Sequence, residues 1–138
     1  MNRSDLQALA KIRRWEAAEL LKAKRYEGAY YLAGYSIECA LKACIARQTQ
    51  KHDFPDKDLA SKVYVHNLEQ LLRVAGLEPD LEHDMKTSKA LGDNWLVVKD
   101  WKESSRYLAA IPATRARNLY SACTSKNSGI LRWIQTRW

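Results

Sequence analysis

Glycine is scarce in this chain and never clustered: five residues in 138, each standing alone. That leaves no glycine-rich loop to cradle a phosphate, and no serine stands in a Gly-x-Ser-x-Gly nucleophile turn. Cysteine is as sparse. Its count of three is odd, no Cys-x-x-Cys occurs, and Cys39 and Cys44 point in different directions on what reads as one helix, so no bridge joins them. The histidines His52, His66 and His83 do not fall at ligand spacings, so no metal is expected, and no cofactor either. Without a disulfide pattern, a reducing cytoplasm fits best. Long apolar runs are missing as well: the longest uncharged segment, Gly28 to Ile37, falls far short of the ~20 residues a bilayer span needs. Met1-Asn-Arg-Ser-Asp5 leads into an amphipathic pattern rather than the apolar core of a signal peptide. No repeat, low-complexity tract or linker divides the chain, which reads as one domain over 1–138, long enough to bury a core.

What is present is helical. The chain holds 18 Ala and 17 Leu against 5 Val, a bias toward helix and away from sheet. From Gly28 to Ala46 only Gly34, Ser36, Glu38 and Lys42 interrupt the apolar sequence, and no proline does. That length favours helix over strand, and that breadth requires burial on most sides. The stretch predicts the central helix of an all-α, antiparallel bundle of four or five main helices with some short ones. Gly34 weakens a helix relative to Ala, which implies close approach by a neighbouring backbone.

The flanking elements follow from caps and breakers. Ser4 with Gln7 has the form of a capping box for a first helix over Asp5 to Lys24, and Lys24 to Gly28 turns the chain back. Pro55 bounds the central helix, and Asp56 to Tyr64 forms a helical turn or an ordered loop. Asn67 with Gln70 caps a helix through Leu68, Leu71 and Leu72 that ends at Gly76. Pro79 opens a helix through Leu81 and Met85 toward Leu91, and Asp93 caps a segment carrying Trp95, Leu96, Val98 and Trp101. Pro112 suits the first turn of a helix through Cys123, and Ser128 caps a last one from Ile130 to Trp138.

The formal charge of +7 and pI near 9.4 favour acidic partners: nucleic acid (RNA among them), nucleotides or an acidic protein. Glu38 and Lys42, four apart with the acid first, meet on one helical face. They form an ion pair stitching the bundle, with Arg106 as a third member, or they line a polar cleft for phosphate or a partner's charge. Trp95, Trp101 and Tyr107 are core aromatics or, beside Asn94, Lys99, Lys102 and Arg106, stacking platforms for bases. Glu38, Lys42, Asn94, Lys99, Lys102, Arg106 and Tyr107 are therefore the binding candidates.

Three segments carry a family likeness: Ala29-Tyr-Tyr-Leu-Ala-Gly-Tyr-Ser-Ile-Glu-Cys-Ala-Leu-Lys-Ala43, His66-Asn-Leu-Glu-Gln-Leu-Leu72 and Trp101-Lys-Glu-Ser-Ser-Arg-Tyr107. Together with Gly129-Ile-Leu-Arg-Trp-Ile134 they resemble the HEPN domain (higher eukaryotes and prokaryotes nucleotide-binding), in its stand-alone bacterial form. The resemblance implies a helical bundle, usually a homodimer, often linked to a minimal nucleotidyltransferase in toxin–antitoxin or defence modules. Many active members are metal-independent ribonucleases with an Arg followed at a short interval by His, and Arg47-Gln-Thr-Gln-Lys-His52 has that form. By that likeness Arg47 would hold phosphate and His52 would act as acid and base. Chance alone supplies about 0.7 such matches in a chain of this composition, and this one ends the central helix rather than lying in the second half of the domain. The leading expectation is thus a non-catalytic module binding nucleotide, RNA or a partner protein; the alternative is a ribonuclease built on Arg47 and His52. The central helix has more apolar surface than one partner helix covers, and with five Trp and seven Tyr a homodimer burying more than ~1,000 Å² is expected.

Overall fold

The computed structural model describes residues 1–48 and 61–138, and among these every regular element is helical. In chain order they are α1 (Arg3–Lys22), α2 (Tyr26–Gln48), α3 (Leu68–Val74), α4 (Glu78–Thr87), α5 (Lys89–Lys99), a 3-10 turn (Glu103–Tyr107), α6 (Ala113–Thr124) and α7 (Ile130–Gln135). The expected all-α bundle is what the chain forms. The expected turn at Asp56 to Tyr64 lies largely outside the described residues, as does His52.

α2 is the axis. Ala29, Ile37, Ala40, Leu41 and Ala43 are fully buried, with Cys39, Cys44 and Ile45 nearly so. Its cover comes from α1, α3, α6, α7 and the 3-10 turn. The broad apolar surface that suggests a second copy is therefore largely occupied by the chain itself. α1 lies along α2 as an antiparallel hairpin, its close packing allowed by the small, fully buried Ala10 and Ala17. At Gly34 the neighbour is not a backbone, as expected, but an indole: a Cβ there would stand 2.3 Å from the ring of Trp101.

Local chemistry explains the boundaries. α1 begins two residues earlier than expected because Asn2, not Ser4, is the N-cap; its side chain accepts from the Asp5 amide while Asp5 accepts from Asn2. At its end the amide of Lys24 donates to the Leu21 carbonyl and that of Arg25 to Leu20, a Schellman turn with Lys24 at φ 60°. α3 ends in the same way, with Gly76 at φ 71°. Asn67 caps α3 as expected, accepting from the Gln70 amide at 2.9 Å.

Downstream, four expectations need correction. The helix opened by Pro79 stops at Thr87 because Ser88 takes an extended conformation and caps α5 by accepting from Leu91. Asp93 instead lies inside α5 and pairs with Lys89. Pro112 stands just before α6 as its N-cap residue rather than within its first turn. The last helix starts from Gly129 without a side-chain cap and ends at Gln135, while Ser128 receives the amide of Asn94 on both its carbonyl and its hydroxyl.

Candidate functional site

Glu38 is the most deeply buried charged residue described, at 1% exposure. Its Oε1 accepts from Lys42 Nζ at 2.9 Å and lies 2.8 Å from His66 Nδ1. An ionised carboxylate only accepts, so the imidazole donates from Nδ1 and leaves Nε2 as its outward atom. That nitrogen sits 3.9 Å from Glu103, which holds Arg106 at 2.6 Å. The expected ion pair therefore exists, but Arg106 joins it at one remove, through Glu103 and His66. The network ties α2 to the segment entering α3 and to the 3-10 turn, and it grades from a buried carboxylate to an exposed guanidinium stacked 4.8 Å from the Tyr107 ring.

Three buried side-chain atoms have no hydrogen-bond partner among the described residues: Glu38 Oε2, Trp101 Nε1 and Ser105 Oγ. All belong to α2 or to the segment 101–105 that packs on it. Burying such a group without a partner costs about 1–3 kcal/mol. Unsatisfied polarity is thus concentrated beside the network and not spread through the core.

A groove opens beside this segment. It has two adjoining lobes, of about 510 and 370 Å³, which share Tyr30, Asp100 and Arg115. Leu96, Val97 and Pro112 give the first lobe an apolar wall. The second is a mixed surface, with Lys102, Ser104 and Ser105 beside Leu108. Arg115 is held in place twice by Tyr30, donating to its hydroxyl at 3.3 Å and lying 4.9 Å from the ring centroid. Asp100 makes no ion pair among the described residues, so its carboxylate is available to the groove.

The sequence candidates divide accordingly. Glu38, Lys42 and Arg106 meet in one network, with Tyr107 at its exposed end, 74% accessible. Lys102 lines the groove. Lys99 instead faces Glu69 at 3.5 Å, and Asn94 is spent on Ser128. Trp95 and Trp101 are core aromatics. Arg47 donates to the carbonyl of Arg137 at 3.1 Å, across to the end of the chain. His66, Tyr30, Asp100 and Arg115 were not singled out. His66 had one visible cue, its place directly before a helix cap; the groove residues had none, because they come together only through folding.

The thiols take no part. Burial raises Cys39 and Cys44 to about 11, the nearby Glu38 adding to the effect at Cys39, and burial holds Cys123 higher still. All three remain protonated and are poor nucleophiles. No cluster of His, Cys, Asp and Glu suited to a metal occurs among the described residues, and no helix there is long and apolar enough to cross a membrane.

No family model, no curated protein and no solved structure matches the chain.

Proposed function

We propose that this chain is a non-catalytic helical module of the HEPN type whose groove receives a nucleotide. The observation that carries the reading is the sharing of Tyr30, Asp100 and Arg115 by two adjoining lobes, one walled by Leu96, Val97 and Pro112 and the other carrying Lys102, Ser104 and Ser105 beside Leu108. A nucleotide offers a partner for each. Its base suits the wall of Leu96, Val97 and Pro112, its phosphate suits Arg115 and Lys102, and its ribose hydroxyls suit the carboxylate of Asp100. The lobes are of the size that ligand pockets have. With this reading go the family expectations of a homodimer in the cytoplasm, working beside a minimal nucleotidyltransferase in a toxin–antitoxin or defence module.

Calorimetric titration with ATP, AMP and deoxyadenosine monophosphate tests it. Arg115→Gln should weaken binding of the ribonucleotides about tenfold or more, because a charge-assisted hydrogen bond contributes roughly 1.5–3 kcal/mol. Asp100→Asn should narrow the preference for ribose over deoxyribose. Saturating heat that neither substitution alters would sink the groove reading, and the partner-protein form of the module would then be the one to pursue.

A further inference from the structure

We infer that Arg14, Lys126 and Arg132 form an oxyanion site that takes a phosphate group, separate from the groove. The three come from three places: the middle of α1, the loop after α6, and α7. They line one cavity of about 210 Å³, whose wall is completed by Thr124, Leu131 and Gln135. Among the described residues no carboxylate lines it, and none of the three cations has a hydrogen-bond or ion-pair partner. Four other arginines are engaged, Arg13 by Glu16, Arg73 by Glu78, Arg106 by Glu103 and Arg137 by Asp84. Isolated surface lysines such as Lys86 are not, but among the described residues they stand alone and share no cavity with a second cation.

The sequence shows why nothing neutralises this place. Beyond Glu103 the last 35 residues contain Arg106, Arg115, Arg117, Lys126, Arg132 and Arg137 and neither Asp nor Glu, so they supply +6 of the net +7. A simpler account is that cations gather at helix C-termini, where the carbonyl ends carry a fractional negative charge. It fits Lys126, which follows α6, and Arg132, in the last turn of α7. It does not fit Arg14, which stands in the middle of a 20-residue helix. Three like charges around one cavity repel one another in the free protein, and a doubly charged oxyanion relieves that repulsion while accepting from both guanidinium groups. The cavity is smaller than either lobe of the groove, which suits a phosphate without its nucleoside. The inference does not rest on the groove reading.

A phosphate can be free or part of a nucleic-acid backbone, and the test separates the two. Pyrophosphate is titrated into the full chain by calorimetry, for wild type, Arg14→Gln, Arg132→Gln and Lys86→Gln, an exposed cation elsewhere. Arg14 and Arg132 are exposed, so these variants should fold, and circular dichroism checks it. Arg14→Gln and Arg132→Gln should each weaken pyrophosphate about tenfold or more, with Lys86→Gln near wild type. Equal affinity in all four proteins, or the same loss in Lys86→Gln, would each overturn the site. In a second arm, a labelled single-stranded RNA is bound across a salt series. A slope reduced by about 0.7 for each cation removed identifies the backbone as ligand. An unchanged slope with weakened pyrophosphate identifies a free phosphate.

Discussion

The indole of Trp101 occupies the space that a side chain on Gly34 would need, with ring atoms 2.3 Å from where a Cβ would stand. Trp101 is itself 1% exposed and stacks on Tyr31 at 6.0 Å between centroids, so it has nowhere to retreat. Gly34→Ala gains about 1 kcal/mol in helix propensity but meets a rigid ring, and overpacking of this kind costs about 1–3 kcal/mol or more. The substitution should therefore destabilise the protein in urea titration. A stabilised Gly34→Ala variant would show that the 101–105 segment is not docked on α2 in this way.

The two Schellman turns make a matched pair. Gly76 occupies the left-handed position after α3 and Lys24 the same position after α1. Gly76→Ala should cost about 1 kcal/mol and Lys24→Gly should stabilise, because only glycine adopts that conformation without a Cβ penalty. Opposite signs in thermal melts are the expected result; a loss from Lys24→Gly would contradict the turn geometry.

Much of this architecture was legible beforehand. The apolar run from Gly28 to Ala46 reads directly as a helix buried all round, and Asn67 and Gly76 bound α3 as their chemistry requires. Two of the errors came where residues of similar capping chemistry competed at short range, Asn2 against Ser4 and Ser88 against Asp93. The sites were less legible. Glu38 with Lys42 declares itself by spacing, but the third member, His66, arrives from 28 positions away. Arg14 and Arg132 are farther apart still, and only the absence of acid after Glu103 marks that end of the chain as unusual.

The Glu38 network should prove asymmetric. Glu38→Ala leaves Lys42, at 17% side-chain exposure, facing a buried gap, and breaking a buried pair in this way costs about 3–5 kcal/mol. His66 is nearly half exposed, so His66→Ala, which leaves the Lys42 bond in place, should cost only about 1 kcal/mol. Chemical denaturation of both variants decides it; an equal or larger loss from His66→Ala would mean that the imidazole, not the carboxylate, organises the cluster.

Alkaline pH should weaken the fold through its thiols. Burial raises the folded values of Cys39 and Cys44 from about 9 to about 11. The unfolded chain thus releases these protons first, and stability present below about pH 9 is lost as pH rises toward 11. Urea melts at pH 8 and pH 10.5 should show a smaller loss in the double variant Cys39→Ala, Cys44→Ala than in wild type. An identical loss would assign the alkaline decline to other groups.

Single-stranded RNA should remain intact with the purified protein in chelator. Arg47 is bonded to the Arg137 carbonyl, and an acid–base histidine would raise the rate by ~10²–10⁴, well above background. Gel analysis of wild type, Arg47→Ala and His52→Ala provides the check. Cleavage by wild type that both substitutions abolish would establish the ribonuclease in place of the binding module.

The cover of α2 also bears on how the chain is made. Its hairpin partner α1 is available at once, but the Sγ of Cys123 reaches Ala33 and that of Cys44 reaches Ile134, each contact spanning 90 positions. While a ribosome is still synthesising α3 to α5, the faces of α2 meant for α6 and α7 have nothing to lie against. An apolar helix in that condition is exposed to mispairing with other nascent chains. The window closes only when the acid-free segment emerges, so that segment ends the interval in which these faces of α2 are bare.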